Sequence, residues 1–310
     1  MAFEHTPVLL AEVIEQLRPV FSGQRAAGAK RIVDCTLGLG GYSEEFLTVF
    51  PEAEVFGLDR DRAAMESARR RLEKYGERFR AIHTNFGDME TVLREFAPVD
   101  ALVFDLGVSG MQLTEGERGF SFQYAGPLDM RMDPDKTDRS AADVLKELDA
   151  DELERIFRVY GEERYARRFA VKIEEARRRG NPVTTTEALV TLIRGSLPAA
   201  VQRKMGAHPA RRVFQALRIY VNDELGELRE GLAAGAELAG PGAVMAVVSY
   251  HSLEDRIVKH TFRTWEKEDK KGIVLTKHPI VPESGETEKN FRARSAKLRT
   301  FQFSAERRRT

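Results

Sequence analysis

The chain has 310 residues with 49 basic and 49 acidic side chains, so its formal net charge is zero. A chain of this length can form about two domains, and the 42% hydrophobic and 32% charged residues are typical of a globular protein. The single cysteine excludes an internal disulfide and a multi-cysteine zinc site; we predict no metal and a reducing compartment.

The beginning of the chain indicates where the protein works. Residues 1–17 contain acidic side chains and no basic region of the kind that begins a secretory leader. No later segment approaches the roughly 20 apolar residues that a membrane span requires. We therefore expect a cytoplasmic protein that has no membrane partner.

A strand, a tight turn and a helix are predicted around a group of glycines. The apolar segment 31–35 runs into Gly38-Leu39-Gly40-Gly41, and a helical pattern follows over residues 43–50. Glycine reaches positive φ at little cost, and a helix N-terminus offers unpaired N–H groups, so this turn is a candidate nucleotide cradle. A second apolar run ends in Asp59, where a carboxylate can accept hydrogen bonds from ribose hydroxyls. Together they predict an adenosine-containing ligand, although a glycine turn alone also fits an ordinary loop.

The residues around the turn favour one class of adenosine ligand. Ser43 stands where a dinucleotide-binding turn needs its third glycine, which disfavours a pyrophosphate. Asp34, four residues before the glycines, instead resembles the first motif of Rossmann-like methyltransferases that bind S-adenosylmethionine. In that resemblance the glycines face the methionine part of the ligand.

Two further strands are predicted to end in candidate ligand contacts. The run 80–83 leads to Phe86, which could lie against an adenine ring or fill the core. The run 99–104 ends in Asp105, which is followed by a glycine-containing loop and is either a site carboxylate or a turn residue. The glycines favour a site.

Residues 112–208 interrupt this alternation with helical patterns. Capping-box spacing and helix-ending glycines support several helices there. A long helical pattern over 210–238 and an apolar strand over 243–248 then resume the α/β alternation. We therefore predict an α/β domain made of residues 1–111 and 209–310, with a helical insertion domain at 112–208.

The last part of the chain combines polar and basic residues. His251 follows the strand 243–248 and is a candidate ligand or base, although a structural role is the commoner one for a single histidine. Residues 251–310 contain 15 basic against 9 acidic side chains, which fits either a nucleic-acid-facing segment or a solvated end. Arg292 and Arg294 lie in the basic loop before the predicted strand 297–303.

Five motifs make the resemblance to known methyltransferases more specific. They are Asp34-Cys35-Thr36-Leu37-Gly38-Leu39-Gly40-Gly41-Tyr42, Asp105-Leu106-Gly107-Val108-Ser109, Glu117-Arg118-Gly119-Phe120-Ser121-Phe122, Pro127-Leu128-Asp129-Met130-Arg131-Met132 and Ser249-Tyr250-His251-Ser252-Leu253-Glu254-Asp255-Arg256. In these motifs the chain resembles the RsmH (MraW) family, and the resemblance extends from His5 to about Arg299.

The resemblance implies a Rossmann-like class I S-adenosylmethionine-dependent methyltransferase sheet with an inserted helical domain. Its expected activity is methylation of cytosine N4 in the decoding centre of 16S ribosomal RNA, within the small ribosomal subunit. The chain departs from the family at Tyr42, where histidine is common, and at Gly110, where serine is usual. The cofactor contacts that the resemblance implies are Gly40, Gly41, Tyr42, Asp59, Phe86, Asp105 and Gln112.

For the reaction, Asp105 is the best-placed acceptor for the amino group, and His251 is a weaker second candidate. Arg292 and Arg294 are the expected contacts to RNA phosphates. Two other functions fit parts of the pattern: a non-catalytic RNA-binding or assembly factor, and a nicotinamide-dependent dehydrogenase. The residues do not determine the oligomeric state, and a dimer is one option.

Overall fold

The computed structural model describes residues 7–22, 29–204 and 208–305. His5, where the family resemblance begins, lies outside them. The chain divides into two compact units, one made of Met1–Gly107 and Leu225–Thr310 and the other of Val108–Glu224. Among the described residues, no helix has both the length and the apolar character needed to cross a bilayer.

Strands and helices alternate in the first part of the chain, as the apolar runs predict. Each of the four strands predicted in this part is present within one or two residues of its expected bounds. The elements are α1 (Leu10–Ser22), β1 (Lys30–Asp34), α2 (Gly41–Val49), β2 (Ala53–Asp59), α3 (Arg62–Leu72), β3 (Phe79–His83), α4 (Met89–Leu93) and β4 (Val99–Asp105).

The second unit is helical in its described residues and has its own apolar core. Buried side chains such as Leu153, Phe157, Phe169 and Leu189 form that core. Its helices are α5 (Gly110–Thr114), α6 (Ala141–Glu147), α7 (Ala150–Gly161), α8 (Ala166–Arg178), α9 (Thr186–Gly195), α10 (Ala199–Lys204) and α11 (Arg211–Asn222).

The first unit is completed by the C-terminal part of the chain. The strands lie in the order β3-β2-β1-β4-β5-β7-β6, with β1 to β5 parallel and β7 antiparallel to both neighbours. This is a Rossmann-like sheet, and the strand order reverses between β1 and β4, where such folds bind ligands. The added elements are α12 (Glu224–Leu238), β5 (Ala239–Ser249), α13 (Ser252–Lys267), β6 (Gly272–Val274), α14 (Ser284–Lys289) and β7 (Lys297–Phe303).

Both faces of the central sheet are buried. In β4, Ala101 and Val103 pack into one apolar cluster, whereas Leu102 and Phe104 pack into another. Successive side chains of a strand point to opposite faces, so a strand covered on both sides needs an uninterrupted apolar run. This requirement explains why the sequence pattern located the parallel strands well.

The boundary of the second unit differs from the predicted one. We expected the insertion to end at residue 208 and one helical segment to cover 210–238, but the chain turns at Asp223, whose φ is 44°. The preceding helix, α11, places Val213, Phe214 and Leu217 in the core of the second unit. That unit therefore runs from Val108 to Glu224 instead of 112–208.

Candidate cofactor and catalytic site

Three carboxylates lie at the carboxyl ends of adjacent parallel strands. Asp34 ends β1, Asp59 ends β2 and Asp105 ends β4. In the strand register Asp34 pairs with Gly57 on one side and Val103 on the other, so Asp59 and Asp105 each lie two residues farther out. The turn after β1 is therefore flanked by an acidic side chain on either side.

The buried Asp34 side chain holds the glycine turn in place through hydrogen bonds. Its carboxylate is fully buried and accepts hydrogen bonds from the Ser43 hydroxyl at 2.7 Å and the Thr36 backbone N–H at 3.3 Å. Burial raises the pKa of Asp34 to about 6, although both hydrogen bonds oppose the rise. Asp34 is thus a structural residue that ties the end of β1 to the start of α2.

The glycines of this turn adopt backbone conformations that other residues disfavour. Gly38 has φ 50° and Gly40 has φ 79°, both in the left-handed region. Gly40 is the N-cap of α2, so the N–H groups of Gly41 and Tyr42 begin the helix without partners inside it. A ligand above the turn can accept hydrogen bonds from those groups.

Asp59, at the end of β2, holds the glycine turn through its side chain. Its Oδ2 accepts a hydrogen bond from the Gly38 N–H at 2.7 Å, and its Oδ1 accepts one from the Asp61 N–H at 2.8 Å. Burial raises the pKa of Asp59, with these two hydrogen bonds opposing. Each carboxylate oxygen has a second lone pair and the side chain is only partly buried, so it can also accept from ribose hydroxyls.

Asp105 is held by a tyrosine that the sequence analysis did not single out. The Tyr250 hydroxyl donates a hydrogen bond to Asp105 Oδ1 at 2.6 Å. Among the described residues, no donor binds Asp105 Oδ2, so that oxygen can accept a hydrogen bond from a substrate. The only sequence signal for Tyr250 was its position in the dense polar motif that follows β5.

The surroundings of Asp105 raise the pKa of its carboxyl group to about 7. Burial is the main cause, and the negative charges of Asp34 and Glu254 add to it. The Tyr250 hydrogen bond and the positive charge of Arg292 oppose the rise. A carboxyl group poised near neutral pH can both accept and release a proton under ordinary conditions.

His251 caps α13. Its Nδ1 accepts a hydrogen bond from the Glu254 N–H at 3.4 Å, and Glu254 Oε2 accepts from the backbone N–H groups of Tyr250 and His251. The imidazole Nε2 lies 3.1 Å from Glu254 Oε1 without hydrogen-bond geometry. These contacts give His251 a structural role: it holds the connection between β5 and α13 that carries Tyr250. Its catalytic role stays a prediction.

The aromatic rings of Tyr42 and Phe86 contribute to the core. The Tyr42 ring is buried and its hydroxyl donates to the Val8 carbonyl, so only its backbone is placed to contact a ligand in the turn. The Phe86 ring is partly buried and meets Phe104 edge-on at 5.6 Å between ring centroids. Their contacts to a cofactor, which the family resemblance implies, stay predictions.

Gln112 belongs to the second unit and is described within it. Its side-chain Oε1 accepts a hydrogen bond from the Ser109 N–H at 3.0 Å, and the Ser109 hydroxyl accepts from the Gln112 N–H at 3.2 Å. This capping box begins α5, and Gly110 is the first residue of that helix. The structure thus gives Gln112 a capping role, and its cofactor contact also stays a prediction.

The basic C-terminal residues separate into two groups. Lys297 and Arg299 both form ion pairs with Asp255, at 3.2 Å and 2.6 Å.

The two arginines of the preceding loop differ in exposure. Arg294 is exposed and lies over the Phe291 ring at 4.6 Å from the centroid. Arg292 is half-buried, and its charge acts on Asp105 and Tyr250. Of the four basic residues, Arg294 is the most open to solvent, and its contact with an RNA phosphate stays a prediction.

Comparison with known proteins gives a consistent result. The model of the MraW methylase family matches residues 2–304. A ribosomal RNA small subunit methyltransferase H from Carboxydothermus hydrogenoformans is 45% identical over 96% of this chain and 97% of its own. The protein of that name from Trichlorobacter lovleyi is 44% identical over the same shares.

Among solved structures, an N-methyltransferase from Bradyrhizobium japonicum, crystallised with S-adenosyl-l-homocysteine, has a TM-score of 0.40 and 9% identity. The likeness covers 97% of this chain and 89% of that one. The sequence matches are far stronger, and they extend through both units. On their strength, the chain belongs to the MraW methylase family.

Proposed function

We propose that the protein is an S-adenosylmethionine-dependent methyltransferase acting on N4 of a cytidine in 16S ribosomal RNA, within the small ribosomal subunit. The curated names of its 44–45% identical relatives support the RNA substrate. The observation that carries the chemistry is the Asp105 carboxylate, with Oδ1 bound by Tyr250 and Oδ2 facing no donor among the described residues.

The residues around the glycine turn fit S-adenosylmethionine. Gly38 and Gly40 have left-handed backbones that form a cradle, and Asp59 has lone pairs left for two ribose hydroxyls. The first N–H groups of α2 can contact the methionine part. Ser43 binds Asp34 where a pyrophosphate-binding turn would need a glycine, which argues against the nicotinamide alternative.

The reaction requires a proton acceptor because N4 must lose one of its two protons when it gains the methyl group. Its lone pair is delocalised into the cytosine ring, so N4 is a weak nucleophile unless an acceptor holds that proton. When bound, S-adenosylmethionine supplies an electrophilic methyl group, and the electron pair of the broken S–C bond remains on sulfur. Asp105 Oδ2 can hold the amino group as the N–C bond forms and then take the proton that nitrogen loses. The pKa of Asp105, about 7, suits that task near neutral pH.

We expect Tyr250→Phe to move the pH dependence of methyl transfer upward. The tyrosine hydrogen bond lowers the pKa of Asp105, so its loss raises that pKa further and protonates the carboxylate at a higher pH. Activity, which falls as pH drops through the Asp105 pKa, should therefore be lost earlier on acidification. The measurement is single-turnover rate between pH 5.5 and pH 9, and an unshifted acid limb would contradict the assignment of Asp105 as the base.

We expect Arg294→Gln to weaken the salt dependence of RNA binding. Removing one cation that neutralises a phosphate should flatten the log–log slope of affinity against salt by roughly 0.7 to 0.9. Arg18, which is exposed and paired with Glu15, provides a matched control as Arg18→Gln. If both variants keep the wild-type slope, Arg294 is a solvated surface residue and does not contact the RNA.

The proposed function is tested by ligand identity and by product. Isothermal titration with S-adenosylmethionine, S-adenosylhomocysteine and NAD separates a methyltransferase from a dehydrogenase. Methyl transfer to small subunits from methylase-deficient cells, followed by mass spectrometry of the nucleosides, identifies the methylated atom. Subunit binding without transfer would favour the assembly-factor alternative.

A further inference from the structure

A second basic surface lies in the helical unit. Arg164, just before α8, and Arg167, Arg168 and Lys172 on that helix line an open groove of about 420 Å³, together with the side chains of Tyr165 and Val171. Helical residues three or four positions apart share a face, so Arg168 and Lys172 lie one turn apart along the groove. Among the described residues, no acidic side chain lines it.

Two of the four cations have carboxylate partners. Arg167 is paired with Asp151 and Glu154, and Lys172 with Glu175 at 2.8 Å. Such exposed pairs reduce the net charge that these two side chains present to a ligand.

The other two cations have no such compensation. Arg168 donates a hydrogen bond to the neutral Ser196 carbonyl at 3.2 Å, and the Arg164 guanidinium lies over the Tyr165 ring at 5.2 Å from the centroid. Within the described part of the chain, neither arginine has a carboxylate within 4.0 Å. The groove therefore presents two uncompensated guanidinium groups beside a partly exposed aromatic ring.

We propose that this groove binds the sugar-phosphate backbone of the RNA substrate, with Arg164 and Arg168 each contacting a phosphate; this inference rests on the proposed function. Guanidinium groups match the geometry of phosphate oxygens and form charge-assisted hydrogen bonds with them. The exposed part of the Tyr165 ring offers a surface on which a base can stack. An acidic protein segment could pair with the two arginines, but it has no base to stack on the Tyr165 ring, so the ring favours RNA as the ligand.

The test compares salt dependence in matched variants. Affinity for protein-free 16S ribosomal RNA is measured across a salt series for the wild type and for Arg164→Gln/Arg168→Gln. Removing two cations that each neutralise a phosphate should flatten the log–log slope by about 1.4 to 1.8. The control is Arg178→Gln/Arg179→Gln, which removes two cations from the other end of α8 that are paired with Glu174 and Glu175, and it should keep the wild-type slope.

Single and conservative variants distinguish the loss of a phosphate contact from a folding defect in the double glutamine variant. The single variants Arg164→Gln and Arg168→Gln should each give about half of the effect, and Arg164→Lys/Arg168→Lys should retain most of the wild-type slope. A wild-type slope in the double glutamine variant, or a change seen with intact subunits but not with protein-free RNA, would overturn the inference, the second by indicating a ribosomal protein.

Methyl transfer by the wild type, compared with the salt slopes of the variants, distinguishes a failure of this inference from a failure of the proposed function. If it methylates N4 of cytidine in subunits while the variant slopes are unchanged, only the groove assignment fails. If it binds RNA through the groove but transfers no methyl group, the groove assignment stands and the proposed reaction fails. Titration with S-adenosylmethionine, which should be equal in all variants, verifies that the other unit is intact.

Discussion

Replacing Asp105 with asparagine should lower the rate of methyl transfer by about 100-fold or more and change S-adenosylmethionine affinity much less. Asparagine keeps the shape of the side chain, and its amide oxygen can still accept the Tyr250 hydrogen bond, but it cannot accept a proton. General-base catalysis contributes typically 10²- to 10⁴-fold to a rate. The measurement is single-turnover transfer to small subunits at saturating cofactor, with titration of cofactor binding in parallel.

Asp100 provides a matched control on the same strand. It lies near the amino end of β4, where its carboxylate accepts a hydrogen bond from the Arg31 N–H at 2.8 Å, and asparagine retains that acceptor. Asp100→Asn should leave the transfer rate near the wild-type value. An Asp105→Asn enzyme with wild-type turnover would remove Asp105 from the chemistry and leave substrate positioning as the source of catalysis.

The second large effect concerns Asp59. We expect Asp59→Ala to weaken S-adenosylmethionine binding by about 10- to 140-fold, since a charge-assisted hydrogen bond contributes on the order of 1.5 to 3 kcal/mol. The same substitution removes the acceptor for the Gly38 and Asp61 N–H groups, so the turn itself loses support. Both losses act in the same direction, and the readout is the dissociation constant by titration.

A control is needed because the variant also loses a negative charge near the sheet edge. Asp88 is an exposed aspartate of the same unit, and Asp88→Ala should leave the dissociation constant unchanged. Thermal unfolding of the Asp59 variant establishes that the fold persists. A wild-type dissociation constant in a folded Asp59→Ala protein would show that the ribose is held elsewhere.

The sequence predicted the parallel part of the sheet because the physical constraint on it is local. Strands buried on both faces require continuous apolar runs, and the acids Asp59 and Asp105 directly follow two of them. The positive φ of Gly38 and Gly40 likewise follows from residue type. From residue types alone, these features predict which edge of the sheet carries the candidate cofactor site.

Other parts of the site depend on distant contacts that sequence periodicity does not contain. Tyr250 and Asp105 are 145 positions apart, and neither segment contains a sequence pattern that predicts the hydrogen bond between them. Tyr42 follows the glycines as a cofactor contact would, yet tertiary packing directs its ring to Val8. The break at Asp223 has no glycine or proline, and the helical pattern continues on both sides of it.

The insertion of the helical unit between β4 and β5 has a consequence for synthesis of the chain. The ribosome completes β1 to β4, with the glycine turn and both flanking carboxylates, before it makes any of the helical unit. Until β5 is made, β4 pairs with β1 on one side only and is an edge strand of the partly synthesised sheet. Tyr250 and Arg292 are translated only after that interval. A polypeptide arrested within the helical unit therefore contains the glycine turn and Asp105 but lacks Tyr250 and Arg292, which both lower the pKa of Asp105.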